Sequence, residues 1–397
     1  SYHVINAFGT NAETLLDGFT ITGGNASPNY HPANKGGGLL IGNGDIEVNI
    51  CIVRNNQAYH RGGGIWISNG SPRIYETVIL DNGAIEGGGM AIENGDLPVI
   101  KRSSFLGNIA SSNAGALFSS NSTYQVHNTV FSGNSAISFG GAVYARDSSD
   151  LLLKNTTFTQ NSSTSGGGIF VNTNSSLTIE NSILWGNSAT SGAQIGISNS
   201  AFFGDWNDIQ SGSGNIYHNS PTAFAAQNTY RFDPLLANPK GTDRKAGTLD
   251  DNVRLTPLSL AIDAGNPSSS YYNEWNLPVG SNGGRINLGA FGNTQDAAAT
   301  RLTDQIIYVD HNASGKNTGM NWTDALTSVQ YALNTSMSGD LIAVAEGVYS
   351  PDDDSFVEPG DRNASFHLKN DVGLYGGFSA YDTFDDRNAD AKPTVLS

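Results

Sequence analysis

Four basic side chains recur at a fixed spacing in the first half of the chain. Lys101, His127 and Lys154 follow one another at intervals of 26 and 27 residues, and Arg102 is adjacent to the first. A base of this kind can abstract a proton beside a uronate carboxylate while a neighbouring cation neutralises that carboxylate. The residues could therefore line a groove that cleaves an acidic polysaccharide by elimination. The alternative is a solvated face on which Glu76 and Arg102 form an exposed ion pair.

The carboxylates suggest less chemistry. Glycoside hydrolysis needs two of them about 5 to 9.5 Å apart, and no pair of acids repeats in a way that marks such a site. Acidic side chains do cluster in two glycine-containing loops near the end of the chain, at Asp310 and at Asp352, Asp353 and Asp354. Calcium prefers such oxygen ligands, although neither loop has the EF-hand spacing. A calcium ion is thus the one cofactor suggested, and a flexible acidic loop without any cofactor is the alternative.

Aromatic residues occupy equivalent places in successive apolar triplets. Trp66, Phe118, Tyr144 and Phe170 each stand in the middle of a triplet and are expected to point away from the core. They could stack on one another, pack beneath a neighbouring filament, or bind the faces of sugar rings. A structural stack is favoured.

These residues all belong to a repeat. The stretch RGGGIWISNG at 61–70 places three glycines before an apolar triplet, and glycine-rich starts recur at Gly36, Gly62, Gly87, Gly140 and Gly166. Glycine adopts positive φ without steric cost, so these positions predict sharp corners. Ile65 and Ile67 then point inward and Trp66 points outward.

A second motif, typified by FSGN at 131–134, has the same period. It ends on an asparagine at steps of 26, 26, 26, 27 and 26 residues, namely Asn56, Asn82, Asn108, Asn134, Asn161 and Asn187. Because asparagine tolerates left-handed backbone, these residues are expected to mark the other corner and to stack as an amide ladder.

A fixed period with short apolar segments predicts a solenoid of β-strands. We expect an all-β parallel β-helix with about 26 residues and three short strands per coil. One short capping α-helix is predicted near 323–335, with Thr323 as its cap and an apolar stripe behind it.

Composition excludes some partners. The 397 residues carry a formal net charge of −16 with only 20 Lys and Arg, which argues against nucleic acid. No run of 18 apolar residues is present, so no membrane span is expected. The start at SYHVINA, without Met, suggests a processed chain or a portion of a longer one.

The alternation of GGG-I or GGA-type corners with FxxN resembles the repeats of polymorphic outer-membrane proteins and, more broadly, secreted right-handed β-helices of the pectate-lyase-like class. The segments DPLLANP, VRLTPLSLAIDAGNP and GGRINLGAFGN resemble the C-terminal part of such surface proteins, with departures at Leu258 and Asn287. The resemblance implies a right-handed β-helix at the cell surface or outside the cell.

Residues 306–397 resemble instead the amino-terminal start of the same proteins. The implied organisation is β-helix coils over 1–232, a C-terminal end region with long loops over 233–300, and an N-terminal-type cap with the first coils of a following β-helix over 301–397. PTVLS at the chain end would then be continued by a segment like SYHVI at its beginning.

The chain thus reads as a family member opened in mid-helix. Either it is a window from a tandem array, or copies join head to tail with Tyr2 and Val4 against Val395 and Leu396. Uncovered strand edges favour such pairing. We predict a non-enzymatic extracellular protein that forms fibres; a polysaccharide lyase and a glycan-binding adhesin are the alternatives.

Overall fold

The computed structural model describes residues 2–27, 33–219, 223–270, 274, 284–299, 305–337, 339–353, 361 and 363–397. Within this part of the chain, three parallel sheets wrap around one apolar core in about seven turns. Sheet 1 contains the glycine-triplet strands. Its nine strands are Ile5–Asn6, Leu39–Gly42, Ile65–Ser68, Met90–Glu93, Leu117–Ser120, Val143–Arg146, Ile169–Asn172, Ile195–Ser198 and Ile216–Asn219.

Sheet 2 is bent, so that most coils contribute two strands or one long strand to it. Its fourteen described strands are Leu15–Asp17, Thr20–Thr22, Glu47–Asn49, Ile52–Arg54, Arg73–Tyr75, Val78–Leu80, Asp96–Lys101, Ser104–Leu106, Thr123–Ser132, Asp150–Thr159, Ser176–Glu180, Ile183–Trp185, Ala201–Ile209 and Phe224–Tyr230. The bend lies at one residue of positive φ per coil: Ile50, Glu76, Arg102, Asn128, Asn155, Asn181, Trp206 and Asn228. The prediction of three sheet directions per coil is therefore confirmed, with one direction divided by this bend.

Sheet 3 is the shortest and follows the FxxN motif. Its strands, as far as the chain is described, are Asn25–Ala26, Gln57–Ala58, Gly83–Glu86, Ile109–Asn113 and Ser135–Ala136. Equivalent residues of successive coils pair directly, as in Val78 with Ser104 and Ile79 with Phe105. The predicted period of about 26 residues is thus the length of one coil.

Glycine is required at the corner before sheet 1. Gly140 has a φ of 64°, and a Cβ placed there would lie 2.2 Å from the carbonyl oxygen of Val143. The expectation for the other corner was wrong in detail. Positive φ belongs to the residue before each ladder asparagine, such as Asn55, Asp81 and Gly107, and not to the asparagine. The ladder amides need extended backbone so that their side chains can turn inward.

Inward side chains of sheets 1 and 2 form one continuous core. Ile65 and Ile67 lie in it with Ile79, Phe105 and Phe131, and Phe105, Phe131 and Phe158 stack with ring centroids 4.9 and 4.5 Å apart. Identical positions occupied by identical ring types therefore give continuous aromatic stacking along the axis.

The segment after the last coil runs back along the outside of sheet 2. It contains an antiparallel pair, Leu236–Asn238 with Asn252–Leu255. Its apolar side chains, including Leu236, Val253 and Ala290, cover Leu80, Leu106 and Val130 of the second half of sheet 2. This outer row of the solenoid is consequently buried.

Residues 305–397, where described, form a further small parallel unit. Strands Ile306–Val309, Leu341–Ala345 and Gly373–Phe378 make one sheet, and Gly347–Tyr349 pairs with Thr394–Leu396. A helix at Val329–Thr335 and a 3-10 turn at Phe384–Asp386 complete the unit. Its core includes Leu235 and Leu258 of the preceding segment. In the described part of the chain no helix is long and apolar enough to cross a bilayer.

The helix is shorter than the predicted 323–335. It begins after Ser328, whose hydroxyl accepts the Tyr331 N–H at 3.1 Å, so Ser328 is the cap and Thr323 is not. Leu326 is unavailable to the helix because its backbone forms a bridge with the strand around Val309. Pairing with a strand outweighs the local helical pattern here.

Candidate functional site

The basic row is assembled by the register of sheet 2. Lys101 pairs with His127, and His127 pairs with Lys154, on adjacent parallel strands. Neighbouring strands are about 4.8 Å apart, so the three side chains form a continuous line on the outer face. Arg102 follows Lys101 at the bend and has positive φ. The structure therefore brings together the four residues that the repeat predicted.

Two of these cations are paired with acids. Arg102 donates to Glu76 at 2.9 Å, and Lys154 lies 2.8 Å from Glu180. Burial alone would raise the pKa of Glu180, but its hydrogen bonds from Lys154 and Asn266 outweigh burial and lower it. Both acids are thus charged and hold their partners in place.

His127 has the environment of a neutral base. Burial lowers its pKa, and the positive charges of Lys101 and Lys154 lower it further. Its Nε2 is 3.2 Å from the amide oxygen of Gln125. An imidazole that stays unprotonated near neutral pH can accept a proton.

A groove of 660 Å³ opens beside Lys101 and Arg102. Its other wall is the loop at 293–296, positioned because Asn128 donates to the carbonyl oxygens of Ala290 and Gly292 at 3.1 and 2.7 Å. The groove combines cations and amides at one edge of the basic row. This arrangement can hold an anionic or hydroxyl-rich ligand.

The asparagine ladder is continuous and buried. Asn108 donates from Nδ2 to the Ile79 carbonyl at 2.8 Å and to Asn134 Oδ1 at 3.0 Å. Its own Oδ1 accepts from the backbone N–H and the Nδ2 of Asn82. The same pattern links Asn56, Asn82, Asn108, Asn134, Asn161 and Asn187. Each amide therefore satisfies the corner of its own coil and of the next.

Two hydroxyl ladders run beside it. One includes Thr156 and Ser182, in which the Thr156 N–H donates to Ser182 Oγ at 3.0 Å. The other links Ser122, Ser149 and Ser175 at the corner after sheet 1. The second was not predicted, although serine recurs there at 27 and 26 residues and could have been recognised by that spacing.

The aromatic stripe is buried, contrary to the expectation of a surface stripe. Trp66, Phe118, Tyr144 and Phe170 do point away from the core, but each is at most 5 % exposed. Phe139 packs on Tyr144 and Phe170. The structural stack is therefore the correct alternative, and these rings do not present their faces to a ligand.

Cations cover part of the stripe. Arg61 lies 4.6 Å from the ring centroid of Phe118, and Lys35 lies 5.0 Å from that of Trp66. Glu93 joins this cluster, since it pairs with Lys35 at 2.6 Å and accepts hydrogen bonds from Arg61 and Trp66. Sequence reasoning missed the cluster because its charges come from connecting segments that do not repeat.

A profile described as "Right handed beta helix region" matches residues 7–184 and 122–213, the same coils whose register the ladders follow. The chain belongs to the right-handed β-helix family. The predicted fold is thereby confirmed. No curated protein and no solved structure matches the chain. Right-handed β-helices include both enzymes and non-enzymes, so the fold alone does not assign an activity.

The two ends of the β-helix are open. The first-coil strands Ile5–Asn6 and Leu15–Asp17 each pair on one side only among the described residues. At the other end, Thr394–Leu396 pairs only with Gly347–Tyr349. Tyr2, Val4, Val395 and Leu396, which the sequence suggested as a joint, are 43 to 51 % exposed.

The suggested calcium loops are not gathered into a metal centre in the described part of this β-helix. The carboxylate of Asp310 accepts the Asn312 N–H, and that of Asp353 accepts the Ser350 N–H. Asp352 lies in the same turn as Asp353, and Asp354 lies outside the described residues. The two loops therefore act as ordinary capped turns.

Proposed function

We propose that this chain is a non-enzymatic structural unit of an extended extracellular β-helix, joined head to tail to another copy or to an equivalent unit of a tandem array. The observation that carries the proposal is the pair of open strand edges. Backbone N–H and C=O groups at such an edge are unpaired and act as a template for another strand.

The head edge is apolar as well as unpaired. Five large side chains of the first coil are at least 43 % exposed, namely Tyr2, Val4, Phe8, Leu15 and Phe19. Ile5 and Leu16 contact the main core but are only partly buried. A preceding coil would complete the burial of these residues.

The tail edge has matching features. Gly373–Phe378 is the last strand of its sheet, in the order Ile306–Val309, Leu341–Ala345, Gly373–Phe378. Val395 and Leu396 are each 46 % exposed, and Leu374 is partly buried against its local core. The tail therefore lacks a following coil, as the head lacks a preceding one.

The polarity of the two edges permits parallel addition. Coils are added in chain order, so the free edge at the tail faces the coil that would follow and the free edge at the head faces the coil that would precede. The tail has one strand of each of two sheets, Gly373–Phe378 and then Thr394–Leu396. The head begins in the same order with Ile5–Asn6 and then Leu15–Asp17. Such a heterologous contact does not close on itself and produces a filament.

The test uses two blocked variants of the full chain. Lysine on an exposed edge prevents strand addition, so Val4→Lys blocks the head and Val395→Lys blocks the tail. The unmodified chain should grow into rods with concentration, each variant alone should stay monomeric, and their mixture should form pairs only. Leu249→Lys, at another exposed apolar site, should leave rod growth unchanged. A wild-type chain that sediments as a monomer at every concentration overturns the proposal.

A second candidate function is elimination on a uronate polysaccharide. The register of Lys101, His127 and Lys154 and the lowered pKa of His127 favour it, because His127 could take the proton while Lys101 or Arg102 neutralises the carboxylate. Incubation with alginate and pectin should then release unsaturated uronate products that His127→Ala and Lys101→Ala abolish. Ligand retention without products would indicate the third alternative, a glycan-binding adhesin that uses the groove.

A further inference from the structure

Asp208 is a buried acid at the end of the solenoid. It lies in the strand Ala201–Ile209, where it pairs with Ile183 on one side and Tyr230 on the other. The row to which it belongs points outward and is otherwise occupied by residues such as Val78, Val130 and Ile183. Its exposed fraction is 0 %, because the chain passes over it after Tyr230.

The oxygens of Asp208 lack donors. Neither Oδ1 nor Oδ2 has a hydrogen-bond partner in the structure. The backbone N–H of Phe232 is near enough to lower its pKa slightly, but burial and the negative charge of Asp233 outweigh this and raise the pKa well above the usual range. A buried carboxylate without donors is costly unless a counterion or a proton neutralises it.

Asp250 shows what a satisfied acid looks like in this chain. Its Oδ2 accepts from the N–H and hydroxyl of Thr242 and from the Asp243 N–H, and its Oδ1 accepts from the Thr248 hydroxyl. Four protein donors therefore surround a carboxylate that is also in contact with water. Asp208 has neither these donors nor the water.

A second carboxylate and a second unpartnered oxygen belong to the segment that covers Asp208. Asp233 is itself buried, which raises its pKa, and accepts a hydrogen bond from the Leu235 N–H. Thr256 donates its N–H to the Leu235 carbonyl at 3.0 Å, and its buried hydroxyl oxygen has no partner. Oxygen atoms in excess of donors are the environment that a hard cation requires.

We propose that Asp208 and Asp233 bind one divalent cation, with calcium as the fitting ion. Calcium takes six to eight oxygen ligands in irregular geometry, so two carboxylates with neighbouring backbone carbonyls suit it. The cation neutralises both acids where three parts of the chain meet. Asp208 belongs to the last coils, Asp233 begins the flanking segment, and the Asp233 carbonyl accepts the Tyr331 hydroxyl of the C-terminal unit at 2.6 Å.

The proposed ion therefore fastens the C-terminal unit to the solenoid. This role is independent of the loops at Asp310 and Asp352–Asp353 and of the function proposed above. It holds equally for a structural rod and for an enzyme on the same fold.

The test is terbium luminescence with the chelator-treated full chain. Trp206 and Tyr230 lie beside the site, with ring centroids 6.4 Å apart, and should sensitise a bound terbium ion. We expect a saturable signal that calcium displaces, together with a calcium-dependent rise in the thermal midpoint. Asp208→Asn and Asp233→Asn should abolish both, while Asp250→Asn should preserve both.

Other outcomes overturn the proposal. Wild-type protein without saturable luminescence shows that no cation binds. A signal that persists in Asp208→Asn places the ion elsewhere. A calcium-insensitive wild type together with an Asp208→Asn variant of equal stability shows that Asp208 is simply protonated, because asparagine replaces a neutral carboxyl at little cost. Since the wild-type titration alone decides the first point, a variant that fails to fold does not obscure the result.

Discussion

Two rows of side chains follow the same period and differ in every other respect. The ladder row is asparagine in six successive coils and is buried. The basic row lies seven residues earlier in each coil and is outward; its members are Asn49, Tyr75, Lys101, His127, Lys154 and Glu180. Both rows have equally regular backbone register, so the difference arises from what surrounds the side chains.

At the buried corner the backbone leaves an N–H and a carbonyl that water cannot reach. Asparagine alone provides a donor and an acceptor of the right length to serve both, as Asn108 does for Asn82 and Ile79. On the outer face, water satisfies any polar group. Uniformity in a repeat therefore marks a structural requirement, and variety marks a surface that is free to acquire a function.

The largest effect is expected from breaking the ladder. Asn108→Ala removes four hydrogen bonds of the side chain and leaves the Asn82 N–H and the Ile79 carbonyl buried without partners. Each such group costs about 1–3 kcal/mol, so we expect a loss of about 3–5 kcal/mol in the free energy of unfolding, measured by denaturant titration.

The matched control for the ladder is Asn55→Gly. Asn55 is an exposed asparagine in an adjoining coil, and glycine keeps its positive φ accessible. A change within about 1 kcal/mol is expected. Equal losses in the two variants would show that the corner needs asparagine for its backbone conformation and not for the ladder.

Sequence alone could predict the features that repeat. Ladder asparagines, corner glycines and inward apolar residues each recur at one period, so their places in the coil follow from stacking. It could not predict which asparagine-rich corner residue takes positive φ, because FxxN places the residue before Asn134 in the corner as readily as Asn134. Only the inward direction of the amide decides between them.

Features that arise once could not be predicted. Glu93 meets Lys35 and Arg61 through connecting segments of other coils, and Asp208 is buried only because the segment after Tyr230 passes over it. The helix was predicted too long because its stripe of apolar residues includes Leu326, which pairs with a strand instead. Contacts between distant, unrepeated segments leave no period in the sequence.

The buried charge cluster should give the second-largest effect. Burial would raise the pKa of Glu93, but the hydrogen bond from Lys35, the charge of Arg61 and the Trp66 N–H outweigh burial and hold it below 4.5. Glu93→Gln leaves Lys35 buried without a counterion, and we expect a loss of about 2–4 kcal/mol near pH 7. Because the folded pKa is lowered, this stabilisation is complete above the unfolded pKa of 4.5 and is lost as pH falls through the folded value.

The exposed pair on the basic face provides the comparison. Glu76→Gln breaks an equivalent cross-coil pair with Arg102, whose side chains are 43 and 51 % exposed. The expected loss is below about 1 kcal/mol, with little dependence on acid. Unfolding curves for both variants across the acid range separate the two cases, and similar losses would mean that the Glu93 cluster is effectively solvated.

The smallest effect is expected on the basic row, where Lys101→Met should change stability at neutral pH by no more than about 0.5 kcal/mol. Burial and the two lysines lower the pKa of His127 below 6.5, so the unfolded chain binds a proton more readily and stability falls as pH drops below that value. Removing Lys101 relieves part of the repulsion and should reduce this fall. Thermal midpoints above and below the histidine range, with the exposed Lys316→Met as control, measure it. A fall that Lys101→Met leaves unchanged would show that burial alone governs His127 and that the row does not act as one electrostatic unit.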